Sequence, residues 1–289
     1  MTAYCAPSTA VRAIMRLPFG RGFALRLWNR LARLAGVSKA KTFFGAKMEC
    51  DPRDSIQATI LHFGTWEPNI SRLFEQVVQP GDVVFDLGAN VGYYSLLLSK
   101  LVGKDGKVIA VEALPDLARQ IQRHAEINSA SNITVVNAAV SDHAGNVAIF
   151  RAPDTNLGMS TTLPDRGFTK SEMVPSLPLV DLPADLKRVS LIKCDIEGAE
   201  VPVLRHLLLH LNRFGERLCV EVEASTTDNP GWPELFDALV SAGFRAYEIP
   251  NRLVTLWDEL LHNRAEKPIV PVTALPPGEP DILFSRTML

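Results

Sequence analysis

The run Val83-Val84-Phe85-Asp86-Leu87-Gly88-Ala89-Asn90-Val91-Gly92-Tyr93-Tyr94 decides the fold, because it reads as a buried strand, a glycine turn and the start of a helix. Gly88 and Gly92 permit a tight bend and a close approach of backbone to a ligand where a side chain would collide. The helix beginning near Gly92 aims free N–H groups and the positive end of its dipole at the same place. A dinucleotide loop would read G-x-G-x-x-G, with its middle glycine set against a pyrophosphate. Here Asn90 fills that slot and an acid, Asp86, closes the strand. A cationic ligand without phosphates fits such a loop better.

The next element, Lys107-Val108-Ile109-Ala110-Val111-Glu112-Ala113, is a second apolar strand ending in an acid, 26 residues after Asp86. A carboxylate at that place can bind both hydroxyls of a ribose. Asp86 beside an ammonium or sulfonium, Glu112 on a ribose and open backbone between them describe a pocket for S-adenosylmethionine. Asn137-Ala138-Ala139-Val140 closes the third strand, where small side chains leave room for an adenine ring, although a plain buried strand explains the alanines equally.

The 289 residues are enough for one large α/β domain or a domain with a small extension, and 47% hydrophobic residues can fill its core. A net charge of -2 argues against general nucleic-acid binding, but residues 1–50 carry nine Lys/Arg against the single acid Glu49, about +8, which leaves about -10 on the remainder. Cys5, Cys50, Cys194 and Cys219 form neither a C-x-x-C pair nor a zinc pattern. Buried thiols in a reducing cytoplasm are expected. No apolar run approaches the length of a membrane span, and the N-terminus lacks a secretory signal, so a soluble cytoplasmic protein is expected.

Residues 8–35 have a helical pattern interrupted at Pro18-Phe19-Gly20. Phe23, Leu27, Leu31 and Leu34 form one stripe and Arg26, Arg30 and Arg33 another, the pattern of an amphipathic basic helix. It suits packing on the main domain, contact with an anionic surface, or a transit peptide. Residues 55–79 read as one helix leading to the turn Pro80-Gly81-Asp82. Strands at 83–87, 107–112 and 133–140 then alternate with helices at 92–102 and 115–127, which requires a parallel sheet. A hairpin follows at 147–150, and residues 152–183, with five prolines, read as a long functional or disordered loop. Order returns with strands at 191–196, 218–223 and 244–249, helices at 199–211 and 233–242, and a last strand at 281–285 beyond a proline-rich connector. Ligands in such sheets lie beyond the carboxyl ends of the strands, where Asp86, Glu112, Asp195 and Glu221 fall.

The second constellation is Lys193-Cys194-Asp195-Ile196-Glu197-Gly198-Ala199-Glu200, at a strand-to-helix junction beside the glycine loop. Methyl transfer needs alignment of acceptor and methyl carbon, and a proton acceptor if the nucleophile is a hydroxyl. Asp195 can hold the cofactor's amino group or take that proton, and Glu197 faces the mouth; these two are the candidate catalytic residues. Glu200 reads instead as an acid at a helix N-terminus, with Lys193 its counterion. His62 and His143 could act as bases, but a lone loop histidine is more often solvated surface. No metal site is expected, since Asp195 and Glu221 lack a third ligand.

These segments, together with Val111-Glu112-Ala113 and Ala138-Ala139-Val140-Ser141-Asp142, resemble the FkbM-type methyltransferases over roughly residues 64–250. The resemblance implies a Rossmann-like class I methyltransferase fold: a seven-stranded, mostly parallel sheet with helices on both faces and the seventh strand inserted antiparallel. It implies S-adenosyl-L-methionine as cofactor, contacted by Asp86, Gly88, Ala89, Asn90, Gly92, Tyr93, Tyr94, Glu112, Ala113, Asn137, Ala138, Ala139 and Val140, and O-methylation of a sugar, glycan or other natural product. The chain departs from the family at Ala113, where proline is common, and at Val180-Asp181-Leu182, which only partly matches a Leu-Asp-Asp-like segment. Expected domains are a basic helical extension, 1–54, and the methyltransferase domain, 55–289. Two competing readings are an NAD-dependent oxidoreductase, against which Asn90 speaks, and a non-catalytic scaffold using the basic helices, against which the paired carboxylates speak.

Overall fold

The computed structural model describes residues 8–17, 19–227, 229–250 and 268–289. Two helices, α1 (Thr9–Met15) and α2 (Arg21–Leu34), precede a short hairpin of β1 (Lys39–Lys41) and β2 (Lys47–Glu49) and the helices α3 (Ser55–Phe63) and α4 (Pro68–Val77). The alternating core follows as β3 (Val83–Leu87), α5 (Tyr93–Val102), β4 (Lys107–Glu112), α6 (Pro115–Ile127) and β5 (Ile133–Asn137). An excursion of β6 (Ala139–Ser141), β7 (Gly145–Arg151) and β8 (Lys170–Pro178) leads to β9 (Val189–Cys194), α7 (Glu200–Leu209), β10 (Cys219–Glu223), α8 (Trp232–Ser241), β11 (Arg245–Ile249), β12 (Val270–Val272) and β13 (Asp281–Ser285).

The main sheet has the order β12-β11-β13-β10-β9-β3-β4-β5. From β10 to β5 neighbours are parallel, and β13 lies antiparallel between β10 and β11. This is the sheet expected from the sequence, extended at its edge by β12. The period of two in each strand sorts its side chains into two layers. Val83, Phe85 and Leu87 join Ile192, Val220, Val203, Leu204 and Phe236 on the α7–α8 side, whereas Val84, Val108 and Leu191 join Phe74 and Leu96 on the α4–α5 side. Strands covered on both faces must be nearly all apolar, which is why β3 and β9 are buried throughout. Phe85 is fully buried, and its truncation to alanine would cost about 3–5 kcal/mol.

Where structure and expectation differ, local chemistry gives the reason. The helix foreseen at 55–79 breaks into two because Gly64 takes a left-handed φ of 69° and ends α3. Residues 152–183, foreseen as a loop, contain β8, which pairs with β6 and β7 in a second, three-stranded sheet. Most of β8 is exposed and it carries two prolines, so its strand period is masked. The foreseen third strand divides at Ala138, and the strand foreseen at 191–196 ends at Cys194. The interruption expected at Pro18-Phe19-Gly20 falls between α1 and α2, with Gly20 left-handed and Pro18 outside the described residues.

The inner face of α2 packs on the body: Leu25 and Trp28 meet Val11 and Phe63, and Asn29 donates to Pro52 O. His62 is buried rather than solvated and meets Asn29 Oδ1 at 3.0 Å. Ala40, Phe44, Met48 and Cys50 join the same core as Val84 and Val108. Cys50, Cys194 and Cys219 are free and buried; Cys5 lies outside the described residues. Among the described residues no helix is long and apolar enough to cross a membrane.

Candidate active site

A cavity of about 700 Å³ opens at the carboxyl ends of β3, β4 and β9, where the order of strand connection reverses. Its floor is the glycine loop. Gly88, Asn90 and Gly92 take φ values of 75°, 50° and 80°, and the Gly88 and Ala89 N–H groups donate to Val111 O. Close protein neighbours make their own demand for glycine here. A Cβ on Gly88 would stand 1.7 Å from Asp195 O, and one on Gly92 would meet Ile121 at 3.2 Å. The tight bend expected at both glycines is present, and the second loop and α6 press against them from the protein side.

Glu112 ends β4 and is gripped by backbone: Asn90 N donates to Oε2 and Leu114 N to Oε1, each at 2.8 Å. Burial pushes its carboxyl up to about 7, against those two hydrogen bonds. Asp86 is also buried. Ser95 Oγ donates to its Oδ2 at 2.6 Å, while Oδ1 has no hydrogen-bond partner. Burial raises the pKa of Asp86, and the nearby Lys193 ammonium opposes that rise.

Sheet register brings three charges into a row. Asp86 on β3 and Glu221 on β10 both pair across the sheet with Lys193 on β9. Lys193 is 3% exposed; its Nζ lies 2.8 Å from Asp195 Oδ2 and 5.0 Å from the centre of the Tyr94 ring. Burial opposes the lysine charge, but Asp195, Glu221, Asp86 and Glu67 outweigh it and hold its pKa above the ordinary value. Burial drives Glu221 well above the usual carboxylate range, and its Oε2 has no hydrogen-bond partner. The ammonium thus pairs directly with Asp195, and its charge also opposes the rise at Glu221. Among the described residues no group of three or more His, Cys, Asp or Glu is placed to hold a metal ion.

The loop after β9 is held from within. Glu200 accepts from Ile196 N and Gly198 N, so it orders the loop backbone ahead of α7, whereas Lys193, read from sequence as its counterion, pairs with Asp195. Glu197 does not share that role. It adopts φ 54°, and its Oε2 pairs with Arg166 Nη1 at 2.7 Å. Burial and then Asp195 raise its carboxyl to about 8, with Arg166 opposing.

Asp86, Gly88, Ala89, Asn90, Tyr93, Tyr94, Glu112, Ala113, Ala138, Ala139, Val140, Asp195 and Glu197 all border the cavity. Gly92 and Asn137 do not: Gly92 begins α5 behind the loop, and Asn137 Nδ2 donates to Glu112 O and Ala113 O, fixing the end of β4. Trp66, Glu67, Arg166, Phe168, Glu223 and Glu279 also line it and were not foreseen there, and Lys193, read from sequence as a counterion within the second constellation, lines it too. Lys193 had a signal, a lysine inside an apolar strand; Arg166 and Phe168 sit in the segment without periodicity. Seven carboxylates against one lysine and one arginine make the cavity acidic.

The family profile of the methyltransferase FkbM domain matches residues 86–246, just over half of the chain. The protein-L-isoaspartate O-methyltransferase of Aeropyrum pernix is 48% identical over 48 residues, 17% of this chain and 18% of that protein. The carboxy-S-adenosyl-L-methionine synthase of Cronobacter sakazakii is 31% identical over 99 residues, 30% of this chain and 40% of that protein. The chain thus spans well under half of the length of these curated relatives. Among solved structures, the methyltransferase FkbM of Methylobacillus flagellatus has a TM-score of 0.44 and 14% identity, covering 74% of this chain and 50% of that one.

Proposed function

The chain belongs to the FkbM family of S-adenosylmethionine-dependent methyltransferases, and from that premise we propose that it methylates a hydroxyl oxygen on a sugar, glycan or other natural product. The observation that carries this is one acidic cavity holding a buried carboxylate oxygen without a partner, Asp86 Oδ1, a second carboxylate at the next strand end, Glu112, and two acids on the facing loop, Asp195 and Glu197. The residues present fit the cofactor. Asp86 Oδ1 is where an ammonium would complete a hydrogen bond, and each Glu112 oxygen, already fixed by one N–H, retains a lone pair for a ribose hydroxyl. Ala138, Ala139 and Val140 offer a flat apolar wall for the adenine. When bound, S-adenosylmethionine supplies an electrophilic methyl group on a sulfonium.

The chain's own residues divide the remaining work. Asp195 is held at 2.8 Å by Lys193 at the cavity wall, so it serves to hold the cationic end of the cofactor. Glu197, with its carboxyl raised to about 8, takes the hydroxyl proton with better driving force at neutral pH. Arg166 fixes one of its oxygens and leaves the other for the acceptor. An excess of carboxylates repels phosphates and favours an uncharged polyhydroxylated acceptor.

Calorimetric titration with S-adenosylmethionine and its demethylated product tests the cofactor, and no binding of either would end the proposal. Transfer of isotopically labelled methyl to neutral and phosphorylated polyols tests the acceptor. Label recovered on nitrogen or carbon would overturn O-methylation.

A further inference from the structure

The α2 helix carries two apolar faces, and the body covers only one of them. At 3.6 residues per turn, Phe23, Leu27, Leu31 and Leu34 fall within an arc of about 80°. Leu25, Trp28 and Ala32 lie on the opposite side, and Leu25 and Trp28 pack against Val11 and Phe63. The outer residues are 67%, 47%, 48% and 78% exposed, which leaves a stripe of large side chains in water without a partner among the described residues. Arg26, Arg30 and Arg33 are exposed along one edge of that stripe, and the helix contains no acid.

We propose that α2 docks this stripe into the surface of an anionic lipid bilayer. A helix with a dense apolar face beside arginines settles into the boundary between headgroups and acyl chains, its apolar side buried by about 5–10 Å. Charge selects the occupant. A second copy seated on the same stripe would set Arg30 of each helix against the other, whereas anionic headgroups complement them. Residues 1–50 carry nine Lys/Arg and one acid, and the remainder of the chain is acidic, so an anionic surface attracts this end and repels the rest. The docked face is one helix away from the cavity, since α3 contacts α2 through Phe63 and lines the cavity with Ser55 and Ile56.

Co-sedimentation of the full chain with phosphatidylcholine vesicles, with and without phosphatidylglycerol, tests the proposal. Retention is expected on the anionic vesicles only and is lost at high salt. Arg30→Gln should weaken it about fivefold, the equivalent of about 1 kcal/mol per basic residue near the surface. Leu31→Asn with Leu34→Asn should abolish it while thermal stability and S-adenosylmethionine affinity stay unchanged, because both side chains are exposed. Equal retention on neutral vesicles, or unchanged retention of the Leu31→Asn/Leu34→Asn protein, would overturn the proposal. So would a protein that stays in the supernatant as a dimer and becomes monomeric with these two changes.

Discussion

Replacing Lys193 by methionine keeps the length of the side chain and removes the one cation in the row Asp86-Lys193-Glu221. Lys193 is 3% exposed and Asp86 and Glu221 are 1% and 3% exposed, so water cannot take over its role. Breaking a buried charge cluster by deleting one partner costs about 3–5 kcal/mol. For a chain of this length that corresponds to about 2–3 °C per kcal/mol, or a fall in melting temperature of about 6–15 °C. The pH dependence follows from the directions of the shifts. Lys193 has its folded pKa raised, so its contribution is complete throughout the acid and neutral range and is lost only as pH climbs through that raised value. Asp86 and Glu221 are raised by burial and are restrained by Lys193. Without the lysine they hold their protons to still higher pH in the folded state, whereas the unfolded chain releases them near pH 4. The variant therefore loses stability relative to wild type as pH rises, and the gap in melting temperature should be wider at about pH 8 than at about pH 5.5. Thermal unfolding followed by circular dichroism at both values measures it. A melting temperature within about 3 °C of wild type at both, or a gap that narrows with pH, would refute the idea that Lys193 holds this row together.

Asp86→Asn should weaken binding of the demethylated cofactor by about tenfold in calorimetry, an effect of about 1.4 kcal/mol, with turnover at saturating cofactor little changed. Asp195→Asn, which loses the 2.8 Å ion pair to Lys193, should likewise raise the KM for cofactor more than it lowers kcat; a fall in kcat alone would make Asp195 the proton acceptor instead. Glu197→Gln should lower turnover by about 10²-fold or more with cofactor affinity intact. The base must be ionised to act, so the wild-type rate should climb with pH through about 8, and that limb should vanish in the glutamine variant; a limb that survives would exclude Glu197.

Strands covered on both faces announce themselves, and for that reason β3, β4 and β13 stand where the apolar runs begin and end. Glycine and proline mark the boundaries between them: Pro115 opens α6, and Gly243, left-handed at φ 95°, follows α8. An exposed strand gives no such signal. In β8 the buried positions Val174, Ser176 and Pro178 keep the period of two, but Pro175 and a serine in the alternation disguise it. The charged row is harder still, because no local pattern states that Asp86, Lys193 and Glu221 will share a register, although they lie more than 100 and nearly 30 residues apart. Sequence places acids at strand ends; only the pairing of strands tells which of them meet. The wall that carries Arg166 and Phe168 depends on how a second sheet folds back over the first, a contact that composition does not encode.

Gly88 and Asp195 carry a lesson for anyone who would alter what this protein accepts. Asp195 N donates to Leu87 O at 3.0 Å, and Asp195 O fills the space where a Gly88 side chain would stand. The two loops are therefore a single casting, and a transplanted acid loop must arrive with the glycine turn it was fitted to. Residues 156–168 come to the cavity as the connection between β7 and β8 of a different sheet, and Thr161 and Arg166 meet Glu197 through their side chains. Chimeras between homologues should exchange that stretch as the cassette and leave the interlocked pair as the inherited frame.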